Sequence, residues 1–325
     1  MAHSGWFFVV LAACGACHDA GSSGAPGPGA GPSSTGTATG TSTSTPASAS
    51  TSTSAPTSTS TPTPTPAGSS TGAPPPVGGG PPPTAYRVRP VTDGHAVEVH
   101  LTYAGKAFPP WPIAAEFASH CGGVTSIPNP SLATDAKGGV TGAIVWIDDI
   151  REGAALVPSD AEVDQKGCVF TPHVLAIPAG TRIHLHNGDQ ANHAVRLDVF
   201  FDPDANEIMR MVPPGGTDFI ISNPAWAGRV AVITCPIHPW MLGWVRFFDH
   251  PYYAVTTDGV ARIEHLPPGK WHLSVWHEAL DARVSSTTET IRERPWTQAR
   301  FDVTVGDHDV VKTLVLAADG TLTSR

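Results

Sequence analysis

The stretch RVAVITCPIHPWM, residues 229–241, joins a strand pattern to three side chains that bind soft metals. Its first part, Arg229–Thr234, is rich in β-branched residues and predicts a strand. A thiol, an imidazole and a thioether follow at Cys235, His238 and Met241. The strand therefore delivers the cysteine to a loop, and the loop can fold the histidine and the methionine back beside it.

This donor set favours copper over zinc. Thiolate and imidazole with a long axial thioether form the trigonal site of blue copper. Zinc more often takes two or more thiols, or histidine with carboxylate, and does not take methionine. A second imidazole is needed from another strand, and His193 follows the strand Arg182–Asn187 on a polar turn. The sequence thus predicts a site for one copper ion.

Short β-branched or aromatic runs, separated by Gly, Pro, Asn and Asp, continue from Ala96 to the C-terminus. Ala96–Leu101 and Arg182–His186 alternate between apolar and polar residues, whereas Gly142–Ile147 is apolar throughout. Period-2 runs at this spacing predict antiparallel sandwiches or barrels. No long segment has a helical period, so we expect an all-β body.

Residues 140–250 resemble the cupredoxins, the small blue-copper electron carriers that include plastocyanin. The ligand loop is closest to the amicyanin and pseudoazurin branch. The resemblance implies an eight-stranded Greek-key sandwich with His193, Cys235 and His238 as equatorial copper ligands and Met241 as the axial ligand. Asn commonly follows the first histidine in this family, whereas this chain has Ala194, so the hydrogen bonds around its ligands must differ.

The same resemblance implies how electrons would move. His238 is expected to present its ring edge at the surface and to carry the electron. Nearby apolar residues are expected to form a docking patch for a redox partner that binds weakly and transiently. These patch residues are Pro239, Trp240, Leu242 and Trp244.

Other histidines compete with His193 as the second imidazole. His184 and His186 lie two residues apart on one strand face, and we expect them at the surface. Whether His173 also contributes to the copper site is an open question at this point. The pair His277-Glu278 is interpreted as strand-end residues and not as metal ligands.

Residues 251–325 resemble the carboxypeptidase regulatory-like, transthyretin-like β-sandwich. The resemblance rests on T-x-D-G at residues 256–259 and L-P-P-G at residues 266–269. Asp258-Gly259 predicts a type I′ turn. The strands of residues 85–139 either complete this sandwich or extend the copper sheet.

The N-terminal region has the pattern of an exported protein. Residues 1–13 are predicted to be a signal peptide, because their apolar run is too short for a membrane span. Leu11-Ala12-Ala13-Cys14 resembles the bacterial lipobox, which implies lipidation of Cys14 and a cell-envelope lipoprotein that faces the periplasm or the cell surface. An ordinary secretory signal is the alternative. Residues 14–84 are mostly Ser, Thr, Pro, Gly and Ala, a composition that predicts a disordered stalk.

The chain has five cysteines. Cys14 is assigned to the lipid and Cys235 to the metal. Cys121 and Cys168 remain in an exported body, where disulfides persist, and we predict that they pair. Two buried thiols are the alternative, and Cys17 is left without a role.

Charge narrows the possible partners. The chain carries 19 basic and 28 acidic residues, a formal net charge of -9, and has no basic runs. Nucleic acid is therefore excluded as a partner, since its binding depends on contacts to phosphate. No apolar stretch reaches about 18 residues, so we expect membrane contact through the lipid alone.

We expect a monomeric electron carrier and not an enzyme. The alternatives are copper binding or delivery without redox traffic, a surface scaffold that holds no metal, and a copper enzyme in which Met241 leaves a coordination position open.

Overall fold

A computed structural model describes residues 85–200, 208–280 and 296–325. The predicted signal peptide, the stalk, Cys14 and Cys17 lie outside the described residues. None of the helices in those described ranges has the length and apolar character needed to cross a bilayer.

Strands dominate the described residues, as the all-β prediction requires. Within the described ranges, the helical segments are α1, Ala115–Ala118, and one 3-10 turn, Pro224–Trp226. The strands are β1 Arg87–Val88, β2 His95–Tyr103, β3 Trp111–Pro112, β4 Ser126–Ile127, β5 Ala133–Thr134, β6 Val140–Thr141, β7 Ile144–Ile147, β8 Glu152–Gly153, β9 Ala161–Gln165, β10 Phe170–Thr171, β11 Val174–Pro178, β12 Arg182–Asn187, β13 His193–Val199, β14 Ile208–Val212, β15 Thr217–Ile221, β16 Val230–Thr234, β17 Leu242–Phe248, β18 Tyr253–Val255, β19 Val260–Leu266, β20 Gly269–His277, β21 Thr297–Val305, β22 Val310–Leu316 and β23 Leu322–Ser324.

The first sandwich packs a four-stranded sheet, β10-β9-β12-β15, against a five-stranded sheet, β11-β17-β16-β13-β14. The alternating sequence of β12 accounts for its place. Ile183 and Leu185 face the core, while His184 on the other face is exposed. Strand β17 is buried almost throughout, because both faces of its sheet are covered.

The second sandwich packs the sheet β18-β7-β20-β21 against the sheet β19-β2-β22-β23. Strand β2 lies between β19 and β22, so the strand at residues 95–103 completes this sandwich and does not extend the first. The predicted type I′ turn is present, since Asp258 and Gly259 have φ angles of 49° and 82°.

Strand β7, Ile144–Ile147, belongs to the second sandwich and not to the first. The sequence resemblance places residues 140–250 in the first sandwich, but Ile144–Ile147 pairs with β18 and β20 of the second. All four residues of this strand are buried. A uniformly apolar run fits the middle of either sandwich, and its composition does not indicate which neighbours it pairs with.

The two sandwiches share an apolar interface. Trp146 and Trp276 from the second sandwich pack in one cluster with Val232 and Trp244 from the first. The rings of Trp244 and Trp276 meet edge to face, with centroids 5.4 Å apart. This contact covers the outer face of the five-stranded sheet.

Candidate metal centre

Two loops at one end of the first sandwich bring the predicted ligands together. Strand β13 begins at His193, and the loop after β16 begins at Cys235. Because β13 and β16 are hydrogen-bonded neighbours, paired from Arg196 and Thr234 onward, the two loops emerge side by side.

Three donor atoms converge at this end of the sheet. One ligand atom each from His193, Cys235 and His238 lies within 4.8 Å of the others. The Nδ1 atoms of the two histidines are 2.9 Å apart. The Sγ of Cys235 lies 3.7 Å from Nδ1 of His238. All three residues are buried.

These separations fit a single bound ion. With metal–nitrogen distances of about 2.0 Å and a metal–sulfur distance of about 2.3 Å, donors spread about 110–120° apart stand about 3.3–3.7 Å from one another. The separation between Sγ of Cys235 and Nδ1 of His238 lies in this range. The Nδ1 atoms of His193 and His238 need to move apart by only a few tenths of an ångström. One thiol with two imidazoles is a donor set that copper accepts readily.

Met241 lies beside this cluster and is 1% exposed. Its N–H donates to the carbonyl of His238, 2.9 Å away. Its carbonyl accepts from the N–H of Cys235 at 3.3 Å. The loop from Cys235 to Met241 is thus closed on itself by backbone hydrogen bonds, which hold the methionine next to the other candidate ligands.

An apolar cavity of about 400 Å³ borders the ligand loop on the Met241 side. Its walls come from the loop residues Trp240 and Leu242, from Phe170 and His173, and from residues 127–130. The methionine therefore has mainly apolar surroundings on this side.

Asp189 organises the site, a role that the sequence patterns described above do not indicate. Its Oδ2 lies 2.9 Å from Nε2 of His193. With Nε2–H donated to this carboxylate, the Nδ1 lone pair of His193 faces the cluster. The carboxylate also accepts from the backbone N–H groups of Gly167 and Cys168, at 2.7 and 2.8 Å. The signal available in the sequence was an aspartate four residues before the ligand histidine.

The buried Asn187 shapes the turn that carries His193. Its side-chain amide donates to the carbonyls of Ala191 and Val212, at 2.8 and 2.7 Å. Its Oδ1 accepts from the N–H of Asp189 at 3.0 Å. The side-chain hydrogen bonds that hold this turn therefore come from Asn187, which lies six residues before His193. Asn192, directly before His193, is exposed.

Burial acts in opposite directions on the pKa values of the two residues His238 and Cys235. Burial lowers the pKa of His238 to about 4, with a further contribution from His193, so the imidazole is neutral and its nitrogen is free to coordinate. Burial raises the pKa of the Cys235 thiol, although backbone N–H groups, among them that of Ala194 at 3.4 Å, oppose this effect. Metal binding would have to displace the thiol proton.

The competing histidines lie elsewhere. Among the residues that the structure describes, His173, His184 and His186 belong to no group of three potential ligands. His184 and His186 contact the carboxylates of Asp160 and Asp164 on the sheet surface. His173 contacts Glu278 of the second sandwich.

The expectation that His238 presents its ring edge at the surface is wrong for this chain, because His238 is only 1% exposed. Trp240, Leu242 and Trp244 are buried as well, so they do not form the expected apolar docking patch. Trp244 and Leu242 pack against the second sandwich. Trp240 is covered by the ring of Phe117, 5.1 Å away between centroids.

A disulfide joins Cys121 to Cys168, with the two Cα atoms 5.3 Å apart. Of the cysteines that the structure describes, only Cys235 remains a free thiol. The carbonyl of Cys168 accepts from Nε1–H of Trp240 at 3.0 Å. The disulfide therefore lies directly beside the ligand loop.

Solved cupredoxin structures resemble part of this chain. The purple cupredoxin of Nitrosopumilus maritimus is 22% identical and has a TM-score of 0.22, over 27% of this chain and 99% of that one. Amicyanin of Paracoccus versutus is 26% identical with a TM-score of 0.23, over 28% of this chain and 84% of that one.

A copper-containing nitrite reductase of Thermus scotoductus is 26% identical with a TM-score of 0.24, over 29% of this chain. The matched region spans only 24% of the nitrite reductase. No protein-family model matches the chain, and no curated protein matches it either.

Proposed function

We propose that this protein binds one copper ion through His193, Cys235, His238 and Met241 and serves as an electron carrier. The observation that supports the proposal most directly is the convergence of a thiol and two imidazoles within 4.8 Å, next to a buried thioether. Copper in such a site would exchange one electron between its Cu(I) and Cu(II) states.

The chain's own residues would keep the ligand geometry fixed. Asp189 sets the orientation of the His193 ring. The N–H of Ala194 donates to the sulfur of Cys235 at 3.4 Å and draws charge away from it. A rigid, buried ligand set would change little between two oxidation states, which is the requirement for fast electron transfer.

We propose a carrier and not an enzyme, because the four donors would supply every coordination position from the chain. A copper enzyme would need Met241 to leave the metal, and the backbone hydrogen bonds around Met241 oppose that movement. The redox partner would be a protein that binds weakly.

We propose that the protein is exported and anchored by a lipid on Cys14, at the periplasm or the cell surface. The disulfide between Cys121 and Cys168 supports an oxidising compartment. Incorporation of a radiolabelled fatty acid, abolished by Cys14→Ala, would test the anchor, and secretion without label would contradict it.

Copper storage or delivery without redox traffic is a second candidate. The burial of His238 favours it, because a ligand closed off from solvent retains its metal better than it passes electrons by direct contact.

Loading the full-length protein with copper distinguishes the two functions. An electron carrier is expected to give an intense blue absorption, the EPR spectrum of a copper–thiolate site and a reversible one-electron potential. A storage protein is expected to hold colourless Cu(I) and to show no reversible potential. Cys235→Ser and His193→Ala should abolish either signal, whereas His184→Ala, on the exposed face of β12, should not. Failure to retain copper after dialysis would contradict both functions.

A further inference from the structure

Residues 111–127 form a small unit over the end of the first sandwich, and we call this unit the cover. It comprises β3, α1 and β4, with β3 and β4 paired as a short hairpin through Trp111 and Ile127. Ile113 and Ile127 are buried in the same core cluster as Cys235 and Met241. The cover is therefore packed into the sandwich and is not a loose loop.

One side chain of the cover meets the candidate ligand directly. The ring of Phe117 stands edge to face against the ring of His238, with centroids 5.6 Å apart. The same ring contacts Trp240 at 5.1 Å. Phe117 thus occupies the surface that the edge of His238 would otherwise expose.

The disulfide fixes this contact. The N–H of Cys121 donates to the carbonyl of Phe117 at 3.1 Å, so the cysteine lies one helical turn from the covering ring. Across the disulfide, Cys168 accepts from Trp240 and donates its N–H to Asp189, which in turn holds His193. A single residue, Cys168, therefore connects the cover to both ligand loops.

The closure is local to His238. In the same loop, Pro236 and Ile237 are exposed, the latter to 36%. The loop from Cys235 to Met241 is therefore not buried throughout, because Pro236 and Ile237 lie at the surface while His238 does not.

We propose that the cover is a disulfide-anchored shield that keeps external ligands from the His238 edge and slows the loss of metal from the site. The control of metal release rests on the proposed function, whereas the shielding of His238 does not. A redox partner cannot touch His238 directly while the cover is closed.

The shielding is tested on metal-free, full-length protein with diethylpyrocarbonate, by measuring the modification of each histidine by peptide mass spectrometry. His184, whose side chain is 48% exposed, is the internal reference. We expect His238 to react far more slowly than His184 in the unaltered chain and about tenfold faster in Phe117→Ala, because loss of the ring raises the open population. Glu116→Ala, an exposed position on the same helix, should leave the rate unchanged.

A second variant protects the test from a folding defect. If Phe117→Ala loses its far-ultraviolet circular dichroism, Phe117→Leu replaces it, because it keeps the disulfide and most of the apolar volume while removing the ring, and it should also raise the reaction rate of His238. Reaction of His238 as fast as His184 in the unaltered protein would overturn the proposal, and so would equal protection in the unaltered protein and in a folded variant.

The metal arm uses Cu(I)-loaded protein and an excess of the chelator bathocuproine disulfonate. Release should be about tenfold faster in Phe117→Ala than in the unaltered protein or in Glu116→Ala, and equal release rates would overturn the control of metal loss.

If the protein binds no copper while Phe117→Ala still unmasks His238, the proposed function fails and the shielding stands. If copper binds but His238 reacts as fast as His184 in the unaltered protein, the proposed function stands and the proposed shielding of His238 is overturned.

Discussion

The Nδ1 atoms of His193 and His238 lie 2.9 Å apart, although 45 positions of sequence separate the two residues. Adjacent strands β13 and β16 produce this proximity. Two cationic imidazoles would repel each other at such a distance, and the pKa of His238 is accordingly lowered, chiefly by burial and then by His193. His238 is therefore neutral near pH 7, and its ring nitrogen is suited to bind a cation beside His193.

The carboxylate of Asp189 should control copper affinity through His193. We expect Asp189→Asn to weaken copper binding by about 10–100-fold, since loss of the carboxylate lowers the basicity and fixed orientation of the ligand ring. Competition with a chelator of known affinity measures the change. Asp160→Asn is the matched control, because Asp160 also contacts a histidine Nε2 at 2.9 Å, but on His184 at the sheet surface. Equal losses in the two variants would contradict the prediction.

The disulfide should contribute substantially to stability. Cys121 and Cys168 are 47 positions apart, and the chain-entropy model gives about 4 kcal/mol for closing a loop of that length. We expect Cys121→Ala/Cys168→Ala to lower the free energy of unfolding by an amount of this order. Urea denaturation measures it, with the oxidised parent chain as reference. A loss below about 1 kcal/mol would show that the loop is already constrained without the crosslink.

The all-β fold could be predicted because its evidence is local. Alternation in Arg182–Asn187 corresponds to a strand with one buried and one exposed face. The spacing of Cys235, His238 and Met241 fits one tight loop, and the structure brings two of these donors together with His193. The strand alternation and the spacing of Cys235, His238 and Met241 each depend on neighbours within about ten residues, whereas the meeting with His193 depends on the pairing of strands β13 and β16.

The remaining features depend on contacts between distant segments. Ile144–Ile147 pairs with strands more than 100 residues later, and its apolar composition does not specify them. Phe117 reaches His238 across 121 positions of sequence, so the resemblance to small copper proteins gave no sign of a segment that covers this histidine. Asp189 was visible in the sequence, but its role depends on Cys168 and Gly167 from another loop.

Gly259 should tolerate substitution poorly. Its φ of 82° disfavours any side chain, and a Cβ there would lie 2.7 Å from the Cα of Gly139 and 2.9 Å from the carbonyl oxygen of Leu101. We expect Gly259→Ala to destabilise the protein by about 2 kcal/mol or more, because about 1–2 kcal/mol comes from the backbone alone. Gly306→Ala is the control, since a Cβ at Gly306 would meet nothing within 4 Å. Urea unfolding of both variants checks the difference, and equal midpoints would contradict it.

His173 and Glu278 connect the two sandwiches through a largely buried pair. Nε2 of His173 contacts Glu278, and Nδ1–H donates to the carbonyl of Leu242 at 2.9 Å. The second oxygen of Glu278 accepts from Nε1–H of Trp244, also at 2.9 Å. Burial opposes the charged imidazole, but Glu278 and the Leu242 carbonyl outweigh burial, and the pKa of His173 is raised above its usual value.

Stability from this pair should decline as the pH rises. A histidine whose pKa is higher in the folded than in the unfolded protein stabilises the fold fully below about pH 6.5, and the contribution is lost as the pH passes through the raised value. A double-mutant cycle with His173→Gln and Glu278→Gln checks this by urea unfolding at pH 6 and again well above neutrality. We expect a coupling free energy of about 1–3 kcal/mol at pH 6 and a smaller one at the higher pH. The pair His100–Glu98, with side chains 44% and 27% exposed, is the control and should couple more weakly than His173 and Glu278 at pH 6. A coupling for His173 and Glu278 that stays constant or grows with pH would show that the imidazole is neutral in the folded protein, and the contact would then contribute only as an uncharged hydrogen bond.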